Sequence, residues 1–348
     1  MNLMVNNHNV FSIVFVTFLI SVFLVPIVKK IAIHINALDY PNKRKIHTKP
    51  MPRLGGLAIF AAFICGYVLY GEINTMMISI LLGGFIIVLG GLIDDVNPIK
   101  ARYKLVIQIA AALLVVIYGQ LYITELSFFG VKIYLAKYFS YFLSTLIIVG
   151  ITNAINLIDG LDGLAAGVSS IYFLTIAIIA FILNKIGGLD IILSLILLGS
   201  TLGFLVYNFP PAKIFMGDTG SMFLGYMISI IALLGFKVTT ITSLIVPLLI
   251  LAIPIFDTAL AILRRLVHHQ NIGKADKEHL HHQLLKMRYS PVASIIIIYA
   301  IDLLFAAVSI FFVLGDNQIA IGIYILLMIL LLFAVLKTDV LFEHKKRG

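Results

Sequence analysis

The 348-residue chain is 61% hydrophobic and only 12% charged, with a mean hydropathy of +1.10; a soluble domain carries about twice that charged fraction. Its net charge of +9 is distributed through the loops between apolar runs, which suits membrane topology better than nucleic-acid binding. The single cysteine, Cys65, excludes an internal disulfide and a cysteine metal cluster, and tryptophan is absent, so tyrosine must supply any aromatic belt.

Apolar runs of about 20 residues recur along the whole length and predict an all-α polytopic membrane protein, one integral domain over 1–348. Eleven spans are read at about 9–33, 55–71, 76–93, 104–120, 139–155, 164–184, 190–209, 221–236, 243–263, 291–314 and 319–337. The first is too long, and too basic at its far end, for a cleaved signal peptide. With the N-terminus outside, nearly all of the 25 lysines and arginines face the cytoplasm; only Lys132, Lys137, Lys185 and Lys237 fall outside. The C-terminus is then cytoplasmic. The one sizeable external piece, 121–138, alternates from Tyr122 to Tyr134 and predicts a short β-hairpin turning near Gly130.

Every strongly polar island lands on the cytoplasmic side. The first loop, from Asp39 to Gly56, is basic and rich in proline and glycine. Lys43, Arg44, Lys45, His47, Lys49 and Arg53 set topology and suit anionic lipid, and the loop's shape suits closing on a phosphate. Asp94-Asp95 ends span three. Carboxylates there oppose the helix macrodipole and need a counter-charge, either Mg²⁺ or Lys100, Arg102 and Lys104 just beyond.

The central stretch is Asn153-Ala-Ile-Asn156-Leu-Ile-Asp159-Gly160-Leu-Asp162-Gly163. Asn156, Asp159 and Asp162 would share a face if helical, and their oxygens suit a hard cation; helix capping accounts for one of them, not the set. Phe215-Met-Gly217-Asp218-Thr219-Gly220-Ser221 opens span eight, with Asp218 either an N-cap or part of a metal or phosphate site. Asp257 follows Pro254 within span nine and pairs with Arg264 or Arg265, or serves function. His279-Leu-His281-His282 lies in the longest basic loop; if helical, His279 and His282 share a face. No H-E-x-x-H accompanies them, so anion binding or proton transfer suits them better than zinc. His268-His269 and Asp302 are given no role.

Together these islands resemble those of the polyprenyl-phosphate N-acetylhexosamine-1-phosphate transferases. The matching text is Arg44 to Pro50 with Leu54-Gly-Gly56, Leu92 to Asp95, Asn153 to Gly163, Phe215 to Ser221 and His279 to His282, in that order. Eleven spans, and His-Leu-His-His in place of three consecutive histidines, look like the branch using UDP-GlcNAc rather than UDP-MurNAc-pentapeptide.

The resemblance implies transfer of GlcNAc-1-phosphate from UDP-GlcNAc to undecaprenyl phosphate, with Mg²⁺ or Mn²⁺ as cofactor. Asp218 and Asp159 are implied as metal ligands. Asp94, Asp95 and Asp159 are implied for catalysis, with Asp94 the preferred base. Asn156, Asp162, His279, His281, His282, Lys104, Lys49 and Arg53 are implied for substrate. Direct attack by the lipid phosphate is preferred to an aspartyl intermediate. Another UDP-N-acetylhexosamine would keep the same chemistry, no nucleic acid partner is expected, and a homodimer is compatible. The rival class, a cation-coupled transporter, predicts ionisable groups near the midplane and broken helices at matched positions; here the acids gather at one face.

Overall fold

The computed structural model describes residues 4–41, 49–128, 131–183, 188–238, 242–267, 279–315 and 317–336. Lys43, Arg44, Lys45 and His47 of the first loop, and His268-His269, lie outside the described residues. A short strand pair, β1 (Met4–Val5) and β2 (His8–Asn9), precedes α1 (Val10–His34), whose first turn is capped by Asn9. Strands β3 (Leu38–Asp39) and β4 (Met51–Pro52) bracket the first loop as an antiparallel pair. Then come α2 (Gly55–Tyr70), α3 (Thr75–Val96) and α4 (Ala101–Leu113), the last prolonged by a π-helical turn, Leu114–Tyr118.

The predicted hairpin is present as β5 (Glu125–Phe128) paired with β6 (Val131–Tyr134). It is one of three two-stranded pairs among the described residues, not the only one. The remaining helices are α5 (Lys137–Ile158), α6 (Leu164–Ile182), α7 (Leu189–Asn208), α8 (Gly217–Val238), α9 (Thr242–Ile250), α10 (Ala252–Val267), α11 (Leu280–Lys286), α12 (Pro291–Leu314) and α13 (Asn317–Leu336).

Among the described residues, eight helices are long and apolar enough to cross a bilayer, with Gly55–Tyr70 and Gln318–Phe333 as shorter apolar ones. At 1.5 Å per residue, the 16 residues of α2 rise about 24 Å, less than the roughly 30 Å hydrocarbon core. The expected ninth span, 243–263, is not one helix: it breaks at Leu251. Pro254 lacks an N–H, so the carbonyl of Ile250 has no partner in the ladder. The two pieces pack differently, α9 mainly on α8 and α12 and α10 mainly on α5. Helix α10 turns Asp257, Arg264 and Arg265 inward and leaves Ile262, Leu263, Leu266 and Val267 exposed.

Helix α8 is the axis of the bundle, enclosed along nearly its whole length by α2, α3, α5, α7 and α9. Two glycines let its neighbours close on its first turn. A Cβ at Gly56 of α2 would lie 2.0 Å from the Gly220 nitrogen, and one at Gly91 of α3 would lie 2.4 Å from the Thr219 Cα. The backbone seals the same junction: Gly55 N–H donates to Phe215 O, Gly56 N–H to Met216 O and Phe215 N–H to Pro52 O. Three polar islands far apart in sequence thus meet where α8 begins.

Candidate active site

The start of α8 exposes N–H groups and the positive end of its dipole. Asp95, from the end of α3, answers both. Its Oδ1 accepts from Asp218 N–H (2.9 Å), and its Oδ2 accepts from Thr219 N–H (3.0 Å) and Thr219 Oγ1 (2.7 Å). Arg53 Nη2 stands 3.3 Å from the same Oδ1 and links it toward Asp39. Gly217, at φ +71°, has no Cβ to press on this carboxylate; one there would lie 2.3 Å from Asp95 Oδ2. Asp95 is therefore an N-cap donated by another helix, the role the sequence offered to Asp218.

The adjacent Asp94 points elsewhere. Its Oδ1 accepts from Ile99 N–H (2.9 Å), and its Oδ2 takes Lys104 Nζ (2.8 Å). Lys104 comes from the first turn of α4 and also reaches Asp218 Oδ2 at 2.6 Å. So of the basic groups expected beyond span three, Lys104 is the counter-charge, whereas Arg102 is exposed and its guanidinium lies over the Tyr103 ring at 4.9 Å. Asp94, Asp95 and Asp218 each place a carboxylate oxygen within 4.8 Å of the others. An all-oxygen anionic set suits a hard divalent cation, and an ammonium already shared by two of its members shows that a cation is welcome there. The residues present fit Mg²⁺ or Mn²⁺. Because Asp95 is spent on α8, Asp94 and Asp218 are the members left to hold it.

Asp159 lies outside that close group. The expected shared face of Asn156, Asp159 and Asp162 does not form, because α5 ends at Ile158 and the chain turns: Asp159 has ψ 53°, and Gly163 is left-handed at φ +78°. Among the described residues the Asp159 carboxylate accepts no hydrogen bond. It lies deep among protein atoms yet keeps a solvent-accessible side, and burial, then the charges of Asp218 and Asp95, push its carboxyl up to about 8. Asp162 instead ties this turn to the α7–α8 connection, accepting from Ala212 N–H at 3.0 Å. Asn208, buried at the end of α7, clamps the same pair of loops by accepting from Gly163 N–H (2.9 Å) and donating to Ile214 O (2.9 Å).

Asn156 donates to Ser221 Oγ at 2.8 Å, and one turn earlier Asn153 and Gln108 of α4 exchange amide hydrogen bonds. Gln108 and Asn208 escape a motif reading. Their only signal is an amide within or at the end of an apolar span, and its partner is unknowable before folding.

The histidines lie against the central turn at Gly160. His279 is not helical (φ −61°, ψ 154°) but precedes α11, so the expected shared face of His279 and His282 is replaced by parallel stacking of His279 and His281, centroids 5.8 Å apart with planes 2° apart. Asp257 fixes this end. Its Oδ2 is 2.9 Å from His279 Nδ1, and its Oδ1 accepts from Leu280 N–H at 2.9 Å. His281 is buried, with Nε2 lacking a hydrogen-bond partner among the described residues. Burial, with its two histidine neighbours, holds that imidazole well below its usual range and therefore neutral. Gly160 lies against it: a Cβ there would come 2.2 Å from His281 Nε2. The central turn and the histidine segment thus touch through a position that only glycine fits. His282, half-buried, has its ring centroid 4.2 Å from that of His281. Lys49 is exposed, and Asp302 is wholly buried in α12 with neither oxygen hydrogen-bonded among the described residues.

This geometry agrees with what the chain is similar to. The profile of glycosyl transferase family 4 matches residues 77–236, the segment carrying Asp94, Asp95, Lys104, the central turn and Asp218. The chain is 44% identical over 331 residues, covering 93% of it and 90% of its relative, to a "Probable undecaprenyl-phosphate N-acetylglucosaminyl 1-phosphate transferase" from Bacillus subtilis (strain 168). It is 34% identical, over 87% of its length and 82% of the relative, to a "Decaprenyl-phosphate N-acetylglucosaminephosphotransferase" of Mycolicibacterium smegmatis. An "Undecaprenyl-phosphate alpha-N-acetylglucosaminyl 1-phosphate transferase" of Escherichia coli (strain K12) is 29% identical over 89% of the chain and 84% of the relative. The chain therefore belongs to glycosyl transferase family 4.

Proposed function

We propose that this protein transfers GlcNAc-1-phosphate from UDP-GlcNAc to undecaprenyl phosphate, giving undecaprenyl-diphospho-GlcNAc and UMP, at the cytoplasmic face of the membrane. The observation that carries the site is the pair Asp94 and Asp218 at the mouth of α8, drawn together around one cation, the Lys104 ammonium. An oxygen of the lipid phosphate attacks the sugar-bearing phosphorus. The new P–O bond forms as the bond to the bridging oxygen breaks, and the electron pair leaves with UMP. One phosphoanhydride replaces another, so positioning and charge neutralisation are what the protein must supply. Asp94 and Asp218 would hold a divalent cation, which when bound would neutralise charge on the diphosphate.

Asp95 acts as a positioning residue, fixing the first turn of α8 so that Asp218 faces Asp94. This departs from the catalytic role implied by the resemblance, because its oxygens are already occupied. Lys104 and Arg53 offset the charge of the incoming phosphates. Burial and the neighbouring carboxylates push the Asp159 carboxyl up, toward the protonated form that can donate to a phosphate or sugar oxygen. The stacked His279 and His281, with His282, wall the nucleotide-sugar side, Asp257 keeping His279 oriented. The product is the first lipid-linked intermediate of a cell-envelope glycopolymer.

The test is UMP release by purified protein in detergent with undecaprenyl phosphate and Mg²⁺, offered UDP-GlcNAc, UDP-GalNAc or UDP-MurNAc-pentapeptide. Release with UDP-GlcNAc alone, dependent on lipid and metal, is expected. Release with another donor changes the substrate, and release with none from folded protein refutes the reading. Accessibility of a cysteine at position 159 from outside would refute the orientation.

A further inference from the structure

Lys104 stands where a cation of this site would stand. Its Nζ is 2.8 Å from Asp94 Oδ2 and 2.6 Å from Asp218 Oδ2, so one ammonium closes the gap between the two carboxylates left for a metal. Asp95 does not share in this, its oxygens being covered by α8 and Arg53. A Mg²⁺ ion binds oxygen at about 2.0–2.1 Å. Placed on the same two oxygens, it would stand within about 3–4 Å of the ammonium, where like charges repel strongly inside a protein. The two cations are alternatives for these oxygens, not companions.

We infer that Lys104 is the resident counter-ion of the metal-free site, and that a divalent cation can take Asp94 Oδ2 and Asp218 Oδ2 only as Lys104 leaves them. The inference rests on the metal-site reading above. Its side chain is suited to leaving: about a quarter exposed, on a flexible four-carbon stem, while its helix stays anchored one turn on by Gln108 to Asn153. The displaced ammonium needs a new anion, and a substrate phosphate beside the carboxylates provides one. Metal and phosphate are then coupled through one lysine. The free enzyme holds a bare divalent ion weakly, and a phosphate-bearing substrate tightens it.

The experiment measures binding of Mn²⁺ alone to the full-length protein in detergent, by the loss of the free-ion electron paramagnetic resonance signal. Wild type is compared with Lys104→Met, Lys104→Gln and Lys104→Arg, each checked by thermal melting. Removing the ammonium is expected to tighten bare Mn²⁺ by at least about tenfold in Lys104→Met and Lys104→Gln, the size of an ordinary coupling. Lys104→Arg, which keeps the charge, should bind as weakly as wild type. A lysine that merely supports the fold would not produce a gain in metal affinity. Mn²⁺ retained by wild type with UDP-GlcNAc, but bound no more tightly by the folded Met and Gln variants without it, overturns this inference alone. No bound Mn²⁺ in any protein, even with UDP-GlcNAc present, overturns the metal-site reading and this inference with it.

Discussion

Replacing Asp95 by asparagine keeps the side-chain shape and removes the charge at the α3–α8 junction. The carboxylate now serves three donors of the α8 first turn with two oxygens, at 2.7–3.0 Å. An amide has one oxygen. Its best orientation keeps that oxygen on the Thr219 pair and turns the NH₂ group against the Asp218 N–H, which is left buried without an acceptor. That costs about 1–3 kcal/mol, and loss of the negative charge at the helix N-terminus adds about 0.3–1 kcal/mol. Asp95→Asn should therefore be destabilised by roughly 1–4 kcal/mol, with transfer reduced as the first turn of α8 loosens. Asp218→Asn is the control: its partly exposed side chain loses charge opposite Lys104 but caps nothing, so melting should move by about 1 kcal/mol or less while transfer collapses. The assay is helical circular dichroism on heating in detergent, beside UMP release. An Asp95→Asn protein that melts like wild type yet transfers nothing would refute the capping argument and return Asp95 to the chemistry.

Gly160→Ala puts a methyl 2.2 Å from the Nε2 of a buried His281, an overpacking of about 1–3 kcal/mol; transfer should fall at least about tenfold, and an unchanged rate would mean the turn and α11 yield independently. Because His281 is depressed in the folded protein, unfolded chains take up a proton below about pH 6.5 that folded ones resist. Its contribution is thus flat above that pH and unfavourable below it, with a slope approaching about 1.4 kcal/mol per pH unit. Melting curves of wild type and His281→Leu, compared from pH 8 to pH 5, should show wild type losing more stability on the acid side; parallel curves would contradict it. Asp257→Asn keeps an acceptor for Leu280 N–H but weakens its hold on His279, so transfer should drop with little change in melting. Adding His279→Ala should then cost much less than it does alone, whereas full additivity would separate the two residues.

The membrane class, the polytopic helices and the polar islands at one face were legible in the amino-acid chain, because a bilayer admits only long apolar helices and pushes carboxylates and histidines to their ends. Motif spacing likewise marked Asp94, Asp95, Asn156, Asp159, Asp218 and the histidines. What each does with its neighbours was not legible. Asp94 and Asp95 are adjacent and chemically identical, yet one faces Lys104 and the other caps α8, since consecutive helical residues point about 100° apart and only packing sets what lies in each direction. Asp257 looked as able to pair with Arg264 or Arg265 on its own helix as to do anything else. It holds His279, which comes from the far end of the loop that follows α10. Local sequence sets where a helix stops and which groups are costly to bury. The partner that satisfies each buried charge comes from a distant segment, and that choice belongs to the tertiary fold.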